Sequence, residues 1–136
     1  MPTYCIGMSS GADSCLLYAF DRLNQGLETT HVVMIGGTFS STARPNFSDW
    51  EDDIKILADN GTKILVVNDA SIKGNGHETF VCPGYTLGQV PISQDGSALP
   101  HHSTTCGGCQ VAADNSSALI YSVYNWIYSG AWTWTP

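Results

Sequence analysis

Charge is what this chain has least of. Only 12% of its 136 residues are Asp, Glu, Lys or Arg, and Lys and Arg together number 5. That is about half the roughly 25% of an ordinary globular domain. With 12 acidic side chains the formal net charge is -7. Such a surface repels a phosphate backbone, so no nucleic-acid partner is expected. Long apolar runs are missing as well. No stretch reaches the ~18–20 apolar residues that cross a bilayer, so no membrane span is expected. The opening "MPTYCIG" has neither the basic nor the apolar region of a signal peptide. There is no internal repeat, no low-complexity segment, and no Gly-x-Ser-x-Gly elbow or other triad signature. No nucleophile, base and orienter come together on these grounds, and no catalytic residue is expected.

What is present points to an oxidising compartment. Five cysteines, Cys5, Cys15, Cys82, Cys106 and Cys109, are many for so short a chain. Their odd number leaves at least one thiol free or paired between chains. Three sequons open at Asn46, Asn60 and Asn115 and are candidate glycan acceptors. The expectation is a secreted protein, in mature form behind an added Met. A hydrophobic content of 43% over 136 residues suits one domain, residues 1–136, with a single core.

Periodicity gives the order of elements. Thr3 to Gly7 reads as a strand and Ser14 to Gln25 as a helix closed by Gly26, with Leu16, Phe20, Leu23 and Leu27 on its apolar face. "HVVMIGGTF", His31 to Phe39, is a continuous apolar run, as in a strand covered on both faces. Ser48 and Glu51 form a capping box opening a second helix, whose buried stripe is Trp50, Ile54 and Leu57 and whose stop is Gly61. Glu51, Asp52 and Asp53 sit at its first turn as dipole partners rather than as a catalytic carboxylate pair. "KILVVN", Lys63 to Asn68, is the third strand. Right-handed crossovers make these three strands parallel. Glu78 to Cys82 and Tyr85 to Ile92 then read as an edge hairpin, because Pro83 and Pro91 remove ladder donors. Ser93 to Thr105 is a surface loop, and Gln110 to Tyr128 a last helix ended by Gly130, with Leu119, Ile120, Val123, Trp126 and Ile127 apolar. The predicted fold is an α/β, three-layer αβα sandwich with a five-stranded mixed sheet and three helices.

The segment Ser9-Ser10-Gly11-Ala12-Asp13-Ser14, between the first strand and the first helix, is similar to the phosphate loop of the ATP pyrophosphatases at five of six positions. The resemblance implies an adenylating enzyme in which Ser9, Ser10, Gly11, Asp13 and Ser14 hold nucleotide through backbone amides at a helix N-terminus. Against it, Ser10 stands where that family has its first glycine, no basic residue lies nearby, and the chain lacks room for an acceptor-binding half. A helix cap at Ser10 or Asp13 accounts for the same residues. "HHSTTCGGC" invites a zinc site or a redox motif through Cys106 and Cys109 with His101 or His102. It supplies half of a zinc pattern only, and the nucleobase-deaminase spacing is absent. Structural disulfides joining Cys106 and Cys109 to Cys82, Cys5 or Cys15 are expected instead, with no metal and no cofactor. A lone His31 at a strand start reads as structural.

Aromatic residues crowd the end of the chain. Trp126 reads as core, while Trp132 and Trp134 alternate with Thr in "AWTWTP", beyond the polar-tipped rings of Tyr121, Tyr124 and Tyr128. Exposed aromatic patches mark binding or subunit interfaces. The alternative is a tail folded back onto the sheet.

Taken together, "TYCIGMSSGADSCLLYAF", "HVVMIGG", "KILVVND", the hairpin "ETFVCPGYTLGQVPIS" and the long last helix resemble a class of small secreted mushroom lectins. The resemblance implies a single αβα sandwich whose five-stranded sheets join edge to edge in a homodimer. It further implies no cofactor, binding of complex glycans carrying fucose or N-acetylgalactosamine, and antiviral or cytotoxic action through cell-surface glycoproteins. The resemblance does not assign sugar contacts; the residues offered for them come from the Ser93 to Thr105 loop and the aromatic tail, namely Asp95, His101, His102, Trp132 and Trp134. A disulfide-stabilised secreted effector recognising a protein target is the remaining alternative.

Overall fold

The computed structural model describes residues 2–8, 10–35, 46–69, 85–90 and 116–134. In chain order the elements are β1 (Tyr4–Met8), α1 (Ser10–Asn24), β2 (His31–Ile35), α2 (Phe47–Asp59), β3 (Lys63–Asp69), β4 (Tyr85–Val90) and α3 (Ser116–Ser129). Among the described residues the protein is mixed α/β with three helices. Hydrogen-bonded strand order is β1-β2-β3-β4. The first three strands are parallel, with Tyr4 opposite His31 and Met8 opposite Ile35. The expected strand at Glu78 to Cys82 lies outside the described residues, as do residues 36–39 of the second apolar run and 110–115 of the last helix. By internal contacts the chain forms two compact units, Met1–Val66 with Val81–Thr86 and Val67–Phe80 with Leu87–Pro136.

In the first unit α1 packs on β1, β2 and α2. It begins at Ser10, four residues before the expected start. Its buried face is Ala12, Cys15, Leu16 and Ala19, whereas Phe20 and Leu23 are half-buried and Leu27 is exposed. The expected face of Leu16, Phe20, Leu23 and Leu27 is therefore rotated. Gly7 supplies the reason. A Cβ built there would fall on the Gly11 carbonyl group and lie 2.8 Å from the Ala12 nitrogen. Helix backbone thus rests directly on strand backbone at Gly7, where no side chain fits between them.

Every residue from Val32 to Ile35 and from Ile64 to Val67 is buried. Successive strand side chains point to opposite faces, so both faces are covered at these two strands. Strand β1 differs, since Tyr4, Ile6 and Met8 are exposed while Cys5 and Gly7 between them are half-buried. It is an edge strand covered on one face. Threonines tie the amino ends of the strands together. Thr3 N–H donates to Thr30 Oγ1 at 2.8 Å, and that hydroxyl donates back to Thr3 O at 2.8 Å. Thr62 Oγ1 donates to Thr29 O at 2.7 Å, and Lys63 N–H to Thr30 O at 2.9 Å.

Helix α2 buries Trp50, Ile54 and Leu57, as its spacing predicts, together with Asp53. Its start corrects the expected capping box. The N-cap is Asn46, with extended φ and ψ of -93° and 130° and no side-chain cap hydrogen bond, so Ser48 lies inside the helix. Asn46 and Ser48 are both cap-forming types two residues apart, which spacing alone does not separate. With the start moved, Glu51, Asp52 and Asp53 fall beyond the first turn, whose acid is Asp49.

Two of the three helix stops follow the same pattern. Leu27 N–H reaches Arg22 O and Gly26 N–H reaches Leu23 O, while Thr62 N–H reaches Leu57 O and Gly61 N–H reaches Ala58 O. Both are Schellman closures on a positive-φ glycine, and Gly130 closes α3 with one bond to Trp126 O at 2.7 Å. In the second unit, α3 buries Leu119, Ser122, Val123 and Trp126. Ile120, expected on the apolar face, is 55% exposed instead.

Candidate functional site

Residues 116–136 contain no Asp, Glu, Lys, Arg or His. An amphipathic helix normally carries charge on its outer face. Here that face carries Tyr121, Tyr124 and Tyr128, which are 64%, 54% and 82% exposed. At 3.6 residues per turn the three fall within about 60° of arc, opposite the buried Leu119, Ser122, Val123 and Trp126. The helix therefore presents a ridge of phenol rings, each an apolar plate ending in a hydroxyl that donates and accepts.

The tail runs back beside this ridge. After Gly130 turns the chain, Asn125 Nδ2 donates to Ala131 O at 3.4 Å and to Thr133 Oγ1 at 3.3 Å. Ser129 Oγ donates to Asn125 O at 2.6 Å and accepts from Ala131 N–H at 3.2 Å. Exposure alternates, with Ala131 and Thr133 exposed and Trp132 and Trp134 half-buried. Residues two apart on an extended segment share a side. The two indoles accordingly lie nearly parallel, 17° between planes and 6.5 Å between centroids, in an offset stack. The segment offers two adjacent flat apolar rings, a row of phenols and no charged side chain. Such a surface suits a neutral ligand with one apolar face and polar edges.

Of the residues proposed from sequence, Trp132 and Trp134 are brought together here. Asp95, His101 and His102 lie outside the described residues, as do Cys82, Cys106 and Cys109. The tyrosines are named above among the terminal aromatics but not among the sugar contacts. Their spacing of three and four residues, combined with the absence of charge, is the signal that marks them.

The alternative loop takes a definite form. Ser10 is the first helical residue, with Ser14 Oγ donating back to Ser10 O at 3.0 Å, so Ser10 is not the cap. Ser9 lies outside the described residues. Asp13 is 6% exposed in the first turn, a favourable end for a carboxylate. A Cβ on Gly11 would meet open space. Two of the described cations are held elsewhere. Arg22, in the last turn of α1, donates to Thr29 Oγ1 at 3.1 Å and Glu28 O at 2.9 Å and lies 5.7 Å from the Tyr18 ring. Lys63 opens β3 at the opposite end of the strands.

Cys5 and Cys15 form a disulfide with their Cα atoms 5.6 Å apart. This corrects the expectation that either pairs with Cys106 or Cys109. The tight passage from β1 into α1 brings the two sulfurs together. Asn46 and Asn60 are both exposed, and Asn60 Nδ2 donates to Ile56 O at 2.8 Å, closing α2. Asn115 lies outside the described residues. His31 is half-buried, its ring 5.0 Å from that of Tyr4 and its Nδ1 3.0 Å from Thr30 Oγ1. That hydroxyl already donates to Thr3 O, so Nδ1 carries the proton. Burial first, and the charge of Lys63 second, push the His31 pKa down. Among the described residues no group of three His, Cys, Asp or Glu side chains is placed to hold a metal ion, and no helix is long and apolar enough to cross a membrane. Comparison with known proteins returns no match: no family model, no curated protein and no solved structure is similar to this chain.

Proposed function

We infer that the protein is a secreted glycan-binding protein, a lectin, that holds sugar on the aromatic surface of α3 and the tail. The observation that carries this reading is the stacked Trp132 and Trp134 pair in a segment that also exposes three tyrosines and has no charged side chain. Sugar rings present flat C–H faces that stack on aromatic rings, while their hydroxyls bond to short polar groups such as Thr133 and the tyrosine hydroxyls. The ligands implied by the mushroom-lectin resemblance are cell-surface glycans carrying fucose or N-acetylgalactosamine, with antiviral or cytotoxic consequences. The same reading takes the whole chain as a three-layer αβα sandwich, with a fifth strand at Glu78 to Cys82 beside β4. It also takes two copies as joined along a sheet edge.

The test is a broad glycan array probed with the labelled protein, alone and with excess Mg-ATP, alongside the double variant Trp132→Ala/Trp134→Ala. A cluster of related glycans, indifferent to ATP and weakened at least tenfold in the variant, is the expected result. A blank array overturns the reading.

One observation favours a second reading. The open space at Gly11, at the N-terminus of α1 and beyond the carboxyl end of a parallel strand, is where α/β proteins take ligands. Saturable heat on titration with Mg-ATP, lost in Asp13→Ala, would favour it. Binding to a glycoprotein that survives complete deglycosylation of the target would favour the protein-directed effector.

A further inference from the structure

We propose that the ridge of α3 is a subsite for an extended β-1,4-linked chain of neutral pyranoses, of the chitin or cellulose type. The inference rests on the glycan-binding reading above and adds the linkage and length of the ligand. Tyr121 and Tyr128 are seven residues apart on one face of a continuous helix. At 1.5 Å per residue they are separated by about 10 Å along the axis, with Tyr124 between them. A β-1,4 chain of all-equatorial sugars is a flat ribbon in which each unit is turned over relative to the last. Every second unit therefore presents the same face, and two units advance by about the Tyr121 to Tyr128 separation. A branched or axially linked glycan cannot lie flat along a straight row.

Exposure and charge fit that occupant. The three rings are more than half exposed, Tyr128 most of all at 82%. No charged side chain lies in residues 116–136 to select an anionic or cationic chain. Asn125, at the flank of the ridge, donates to Ala131 O and Thr133 Oγ1 and so holds the tail backbone alongside the helix.

The experiment titrates the intact protein with chitobiose, chitohexaose and cellohexaose at 50 and 500 mM NaCl, and repeats the series with Tyr121→Ala/Tyr128→Ala and with the conservative Tyr121→Phe/Tyr128→Phe. The expected result is at least tenfold tighter binding of hexaose than biose, unchanged by salt, lost in the Ala variant and largely kept in the Phe variant. Circular dichroism checks that both variants fold. Equal affinity for biose and hexaose, with array binding still dependent on Trp132 and Trp134, overturns the subsite and leaves the lectin reading standing. No binding to any sugar in either assay overturns both. If the Ala variant instead turns a sedimenting dimer into monomer without altering sugar affinity, the ridge belongs to a second copy and the proposal fails.

Discussion

At the scale of single residues, the site where β1 meets α1 shows how a missing side chain shapes a fold. Gly7 faces the Gly11 carbonyl and the Ala12 nitrogen, both backbone groups that cannot rotate aside. Gly7→Ala must push α1 off β1, and overpacking of this kind costs about 1–3 kcal/mol or more. We expect a lowered urea midpoint with an unchanged slope, whereas Gly11→Ala, which meets open space, should leave the midpoint nearly unmoved. His31 gives a second residue-scale prediction. Burial and then Lys63 place its folded pKa below the ordinary 6.5. Between those two values the unfolded chain binds more protons than the folded one, so this group's stability is full above about pH 6.5 and declines as pH falls through the folded pKa. Denaturation at pH 7.5 and pH 5.5 should show a loss at the lower pH that His31→Gln reduces; an identical loss in the variant would rule His31 out as its source.

At the scale of elements, helix stops were easier to read than helix starts or the face of α1. Gly26, Gly61 and Gly130 all adopt positive φ where the sequence places a helix stop, because a left-handed residue after a helix is nearly a glycine monopoly. The face of α1 was not legible, since Leu16, Phe20, Leu23 and Leu27 form an equally regular stripe. What selects Ala12, Cys15, Leu16 and Ala19 instead is the approach of strand backbone, a contact between elements that periodicity does not record. The Cys5–Cys15 disulfide joins the same two elements across a sequence separation of 10. In the chain-entropy account a loop this short restrains the unfolded state by about 2–3 kcal/mol. Replacing both cysteines by Ala should lower the unfolding free energy by that amount while leaving the circular dichroism spectrum intact, and a loss of helical signal would instead show that α1 needs the bond to form. On α3, the tyrosine row was visible as spacing, but its outward direction was not: a helix without charge gives no sign of which side faces water.

At the scale of the whole molecule, composition and order of elements settled the α/β class. Alternating strand and helix patterns leave parallel pairing as the natural outcome, and β1, β2 and β3 follow it. Continuous apolar runs likewise marked β2 and β3 as covered on both faces, because alternation disappears when neither face meets water. Low charge and late aromatics were written in the sequence too, as they are counts. The tertiary structure alone decided which cysteine meets which, since pairing depends on Cα atoms coming within reach across a turn. It alone showed that Trp132 and Trp134, set apart from the core residue Trp126 already by sequence, are half-buried and stacked on each other. The division has one physical cause. Local sequence fixes backbone preference and overall polarity, whereas exposure, disulfide partners and ring geometry are properties of distances between residues remote in the chain, and those exist only once it has folded.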